Sequence, residues 1–202
     1  NYRTVLRRLR KLEKTKHLVR TRFYKGGVTT WHLAKKGASL LGSRPLFKSL
    51  NKNTIEHDLK ANDLRIALHS LGCFENWVSA HYLKQKMEAD TSPFGKSLDG
   101  IPDWLCSGNS WSKSTTVAME LELSWKGVRR MRYIFARYMS KETLDHLWYI
   151  VPTKSFGERL TKIANEYQIE QRKGTQWFMW SLLDDILMQP RATRVFSLEG
   201  VQ

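Results

Sequence analysis

Charge is distributed very unevenly along this chain of 202 residues, and that distribution limits how the chain can fold. Residues 1–55 contain 15 lysines and arginines but a single acid, Glu13, whereas residues 56–202 contain 19 lysines and arginines against 18 acids. Almost all of the net charge of +15 therefore lies at the start of the chain. A block of this kind can neutralise phosphates and release counterions from nucleic acid. The alternatives are a solvated basic face or a tail that touches an acidic membrane.

The composition is that of a globular protein, with 41% hydrophobic residues, enough for one good core or two small ones. No apolar run approaches the length of a membrane span and the chain opens without an apolar leader, so we predict no membrane association and a cytoplasmic location. Cys73 and Cys106 lack CxxC partners, which disfavours a zinc cluster. Without a GxxxxGK(S/T) or GxGxxG element, no nucleotide cofactor is supported.

The basic block has the pattern of a folded unit. Val5, Leu6, Leu9 and Leu12 are spaced as one stripe of an amphipathic helix, and the arginines fall largely off that stripe. The next segment, LVRTRFYKGGVTTWHL, alternates around a glycine turn and predicts a two-stranded hairpin. AKKGASLLG then predicts a short helix that ends at Gly42.

Helix, basic hairpin and short helix in this order resemble the second half of a winged helix-turn-helix, here over residues 1–42. In that family the helix contacts bases in the major groove and the hairpin is the wing. The resemblance implies double-stranded DNA as partner, with these contacts: Arg3, Thr4, Arg7, Arg8 and Lys11 in the groove, and Arg20, Arg22 and Lys25 on phosphates. A basic helix and hairpin that dock a protein remain the alternative. Since winged helices often dimerise, a homodimer stays open.

Residues 43–54 predict a polar connector, and residues 55–202 a separate domain. Its periodicities predict helix, strands, helix, strand and helix in turn, which indicates an α/β (α+β) domain with a small mixed sheet. Residues 73–87 suit either a strand or a helix, and residues 175–190 predict a strand that runs into a helix. Acids interrupt its apolar segments, at Asp103 in IPDWLC and at Glu120 and Glu122 in AMELELS. Side chains alternate along a strand, so Glu120 and Glu122 share a face, and Asp103 starts the neighbouring strand. Three clustered carboxylates need a cation or arginines between them, and oxygen ligands suit Mg²⁺ or Mn²⁺.

Pro102-Asp103 followed by Glu120-Leu121-Glu122 resembles the PD-(D/E)XK nuclease fold. The resemblance implies Asp103 and Glu120 as metal ligands and Asp103, Glu120 and Glu122 as catalytic residues. The chain departs from the pattern at Glu122, where a Lys is expected; some restriction enzymes with this fold carry Glu there and still cut. Whether the chain is an enzyme therefore stays open, and Lys126 is a candidate for a displaced lysine.

HDLKANDLRIAL, PDWLC and MELELSWKG, following a winged helix, resemble the replication-relaxation proteins of plasmids and other mobile elements. His57 and the Asn62–Leu64 stretch are the matching residues, and the similarity spans most of residues 2–155. It implies a DNA-binding protein that acts in plasmid replication or conjugative mobilisation. Two alternatives remain: a metal-dependent DNA endonuclease, and a recruitment factor that docks a relaxase or a replication protein.

Overall fold

The computed structural model describes residues 1–22, 29–42, 54–72, 74–88, 101–108, 115–171, 177–198 and 200–201. The chain divides into two compact units, Asn1–Glu56 and His57–Gln202. Within the described residues, no helix has both the length and the apolar content needed to cross a bilayer.

The first unit is a helix, a two-stranded antiparallel hairpin and a short helix, which confirms the order of elements predicted from sequence. Its elements are α1 (Tyr2–Lys14), β1 (Leu18–Arg22), β2 (Thr29–Leu33) and α2 (Lys35–Leu40). The side chain of Asn1 caps α1 by accepting a hydrogen bond from the backbone of Arg3 (3.1 Å). Gly37 packs so closely against the backbone of His17 that a Cβ would overlap it, and this contact joins α2 to the start of β1.

The second unit is built on a seven-stranded mixed sheet in the order β3-β4-β5-β6-β7-β8-β9. Strands β5, β6 and β7 are parallel, and the remaining pairs are antiparallel. The predicted α+β class with a mixed sheet is confirmed. The elements are α3 (Ile55–His69), β3 (Phe74–Ser79), α4 (Ala80–Glu88), β4 (Trp104–Gly108), β5 (Thr115–Leu121), α5 (Val128–Met139), β6 (His146–Val151), α6 (Lys154–Gln171), β7 (Phe178–Leu182), α7 (Leu183–Met188), a 3-10 turn (Pro190–Ala192), β8 (Phe196–Ser197) and β9 (Gly200–Val201).

Helices cover both faces of this sheet. On β6, Leu147, Tyr149 and Val151 belong to one core, whereas Trp148 and Ile150 belong to the other, as strand alternation requires. Helices α5 and α6 pack in the first core, together with Leu83 of α4, and α3 and α7 pack in the second. Parallel strands covered on both sides explain why β6 and β7 are almost continuously apolar.

Three local features differ from the sequence expectations. The segment 73–87, which suits either a strand or a helix, contains both, since β3 ends at Ser79 and α4 begins at Ala80. Strand β5 ends at Leu121, one residue before Glu122. The pair β8 and β9 at the end of the chain carries no pattern long enough to predict it. Most of the predicted connector, and the glycine turn of the hairpin, lie outside the described residues.

Candidate nucleic-acid interface and carboxylate cluster

Helix α1 separates its basic and apolar side chains onto opposite faces, and Glu13 falls on the apolar side. None of its residues is buried, although Leu6 and Leu9 are partly covered. The five groove residues predicted on α1 all lie within the helix, and every one except the half-buried Thr4 is exposed. By helical spacing they form one continuous face, and Arg10 and Lys14, which were not among the predicted contacts, extend it.

Both predicted wing arginines in the described part of the hairpin have a contact within the first unit. Arg20 forms an ion pair with Glu13 (Nε to Oε1, 3.1 Å), the single acid of the basic block. The guanidinium of Arg22 donates weakly to the hydroxyl of Thr29 across the hairpin (3.4 Å). Both side chains are nevertheless exposed. The third predicted wing residue, Lys25, lies outside the described residues.

Asp103 lies at the sheet edge where β5 ends, because antiparallel pairing of Trp104 with Met119 brings the residue before β4 beside the end of β5. Its Oδ2 accepts a hydrogen bond from the backbone N–H of Leu121 (2.9 Å) and lies 3.3 Å from Nε2 of His57. Nε2 of His57 also lies 2.9 Å from the carbonyl oxygen of Leu121. The hydrogen bond to Asp103 is the main reason that the pKa of His57 rises to about 9, so the ring is a cation at neutral pH.

Glu120 meets a buried tyrosine. The hydroxyl of Tyr138, on α5, donates a hydrogen bond to Oε1 of Glu120. Although Glu120 keeps some accessible surface, its carboxyl is closely surrounded by protein. This burial, followed by the negative charge of Asp103, raises the pKa of Glu120 well above the usual carboxyl value. Burial also raises the pKa of Tyr138, which keeps the hydroxyl protonated as a donor.

Glu122 is only 5% exposed and forms an ion pair with Lys126 (Oε2 to Nζ, 2.7 Å). Burial raises the pKa of Glu122, and the lysine opposes that rise. Burial lowers the pKa of Lys126, but the hydrogen bond and negative charge of Glu122 outweigh it and raise that pKa overall. The candidate displaced lysine therefore lies within the cluster and is electrostatically coupled to Asp103, Glu120 and Glu122.

The structure thus brings all three predicted acids into one electrostatic cluster. Asp103 lies against His57, Glu122 is paired with Lys126, and burial disfavours the charged form of Glu120. Each acid has an internal partner, and in the described parts of the chain no group of three or more His, Cys, Asp or Glu side chains is arranged to hold a metal ion. The oxygens of Asp103 and Glu120 are ligands of the hard type that Mg²⁺ and Mn²⁺ prefer.

Sequence reasoning gave His57 no role in this cluster beyond a family resemblance, and it did not find Tyr138. The position of His57 between Glu56 and Asp58, near the start of a predicted helix, was a signal in the sequence that its side chain could pair with a carboxylate. A tyrosine on the apolar stripe of α5 was one for Tyr138, because a buried hydroxyl needs a partner. Trp125, in the turn after β5, is partly covered by Phe156 (5.2 Å between ring centroids).

Comparison of the chain with protein-family models, with curated proteins and with solved structures shows no match. The three family resemblances in the sequence therefore stay expectations. The basic face of α1 and the carboxylate cluster are the features from which a function can be inferred.

Proposed function

We propose that this protein binds double-stranded DNA through α1 and the hairpin, as a partial winged helix of a mobile element that acts in plasmid replication or conjugative mobilisation. The observation that carries the proposal is the exposed basic face of α1, whose side chains are presented by a helix resting on its hairpin. A helix of this size enters the major groove of B-DNA. Phosphate attraction then accounts for most of the affinity.

In this proposal the two elements divide the work. Arginines such as Arg7 and Arg8 donate in pairs to guanine edges, the commonest specific contact in the major groove. Arg20 and Arg22 contact phosphates and fix the orientation of α1 on the duplex. On binding, Arg20 leaves its ion pair with Glu13 and contacts a phosphate instead. The pair with Glu13 is exposed, so breaking it costs little free energy.

The test is a titration of labelled duplex DNA with the wild type and with Arg7→Ala/Arg8→Ala, followed by fluorescence anisotropy. Loss of two base contacts should weaken binding at least about tenfold, since each is worth about 1–3 kcal/mol. Arg191→Ala/Arg194→Ala removes the same charge from the second unit and is the matched control. Equal affinities for the wild type and the α1 variant would refute the placement of DNA on α1.

A second candidate function is metal-dependent cleavage of DNA, because the structure places Asp103, Glu120, Glu122 and Lys126 in one coupled cluster. In this proposal Asp103 and Glu120 would hold Mg²⁺ or Mn²⁺, and Glu122 would act as a general base. A bound ion would supply Lewis-acid stabilisation of a phosphate oxygen. Lys126 would bring the positive charge that the nuclease pattern places at the position of Glu122.

Incubation of supercoiled plasmid with Mn²⁺ tests this candidate, comparing the wild type with Glu120→Gln. Nicked or linear product that is lost with the variant and with chelator is the result expected of a nuclease. Glu142→Gln, at an exposed acid of the same unit, should leave cleavage unchanged. Intact plasmid with every variant, at protein concentrations that saturate DNA, would leave the cluster with a structural role.

A further inference from the structure

The two helical faces of the second unit carry opposite charge. Helices α5 and α6 together contain seven lysines and arginines against three acids, whereas α3 and α7 contain two against five. The net charge of residues 56–202 is therefore near zero although one side of the sheet carries a basic helical face and the other side an acidic one. An asymmetry of this kind concentrates a positive potential where α5 and α6 lie.

The basic charge is densest at the start of α5. The helix contains four arginines and no acid, and Arg129 and Arg130 are exposed in its first turn. The guanidinium of Arg130 lies over the ring of Tyr133 (5.5 Å to the centroid), which is itself 44% exposed. Further along, Arg132 forms two hydrogen bonds with Glu166 of α6 (2.9 Å each), which join the two helices.

Helix α6 adds to the same region. The guanidinium of Arg159 lies over the ring of Trp125 (5.3 Å), just before α5 begins, and Lys162 is exposed one turn further along α6. Trp125 is held in place by Phe156. Two arginines are thus each supported on an aromatic ring, which limits their conformational freedom before any ligand binds.

We propose that this surface, the α5–α6 basic face formed by Arg129, Arg130, Arg159 and Lys162, binds the phosphate backbone of nucleic acid. Planar guanidinium groups pair with phosphate oxygens through two parallel hydrogen bonds, and exposed Tyr133 offers a ring on which a base can stack. The turn that joins this face to β5 carries Lys126 of the carboxylate cluster. The inference rests on the proposed nucleic-acid-binding function but assigns a contact separate from α1.

The test is a salt titration of binding by the full chain, with a labelled duplex and with a labelled single strand of equal length. Arg129→Gln/Arg130→Gln should reduce the slope of log affinity against log salt by about 2 on the duplex and somewhat less on the single strand. At about 100 mM salt the loss of affinity should be about tenfold. Arg191→Gln/Arg194→Gln, on the opposite face, is the charge-matched control and should leave the slope unchanged. A thermal melt verifies that both variants fold.

Arg7→Gln/Arg8→Gln separates this proposal from that for α1. If the α1 variant weakens binding and the α5 variant does not, DNA binding stands and the α5–α6 basic face is refuted. If the α5 variant alone weakens binding, the face is supported and the role of α1 falls. Binding of a labelled poly-glutamate probe tests whether the α5–α6 basic face binds an acidic protein instead of nucleic acid. If Arg129→Gln/Arg130→Gln loses affinity for this probe but not for either nucleic acid, the face binds an acidic protein and the proposal is overturned.

Discussion

At the scale of single residues, the contact between His57 and Asp103 makes the stability of the second unit depend on pH. The pKa of His57 is raised to about 9 in the folded protein by the hydrogen bond to Asp103, against an ordinary value of 6.5. The stabilisation is therefore complete below about pH 6.5 and is lost as the pH rises through 9. We expect it to be worth about 1–2 kcal/mol, since the pair is partly exposed and solvent weakens it.

The measurement is urea unfolding followed by tryptophan fluorescence, which reports mainly on the second unit because Trp31 is the single tryptophan before residue 57. His57→Gln should be less stable than the wild type at pH 6, and the difference should shrink towards pH 9. His69→Gln controls for the loss of a histidine from the same helix. A difference between wild type and His57→Gln that is constant from pH 6 to pH 9 would contradict the prediction.

Gly157 is a position in the core of the second unit where one added methyl group should be destabilising. It lies in α6 directly against the indole of Trp180, and a Cβ there would overlap the ring. Alanine normally stabilises a helix relative to glycine by about 0.5–1 kcal/mol, but overpacking a core costs about 1–3 kcal/mol. Gly157→Ala should therefore be destabilising by about 1–2 kcal/mol in urea unfolding. Asn165→Ala, at an exposed position of the same helix, should be neutral or stabilising, and a stabilised Gly157→Ala would disprove the close contact.

At the scale of elements, Tyr138 is the link between α5 and the edge of the sheet. Tyr138→Phe leaves the buried carboxyl of Glu120 without its donor, which should cost about 1–3 kcal/mol. Tyr133→Phe is the matched control, because it removes a hydroxyl from an exposed ring of the same helix and should change stability little. Urea unfolding of the two variants provides the comparison. Equal stabilities would mean that the hydroxyl does not support Glu120.

The elements that sequence predicts well are those whose pattern is local. Examples are the apolar stripe of α1, the alternation of the hairpin and the passage from β7 into α7. Each of these patterns depends only on residues that are close together in the sequence. Residues 74–88 contain both patterns, and the boundary depends on pairing of β3 with β4.

The carboxylate cluster is predictable only in part, because some of its members follow from a local pattern and the others from tertiary packing. Glu120 and Glu122 are visible in the sequence as alternate residues at the end of a predicted strand, although β5 ends between them at Leu121. Their partners depend on tertiary packing: His57 lies 64 positions from Leu121, and Tyr138 lies 18 positions from Glu120. Glu122 and Lys126 form an ion pair and are only four residues apart in the sequence. Because β5 ends before both residues, strand alternation does not predict this pair.

At the scale of the whole molecule, the net charge of +15 should dominate how the protein meets nucleic acid. Six described cations are among the predicted contacts of α1 and the hairpin: Arg3, Arg7, Arg8, Lys11, Arg20 and Arg22. If each neutralises one phosphate, affinity for duplex DNA should fall about 10³-fold between 50 and 200 mM salt. Anisotropy titrations at four salt concentrations measure the slope. Glu120→Gln should leave that slope unchanged, because the carboxyl of Glu120 is buried against Tyr138 and is not among the predicted phosphate contacts. A fall of less than about tenfold would mean that phosphate contacts do not drive binding.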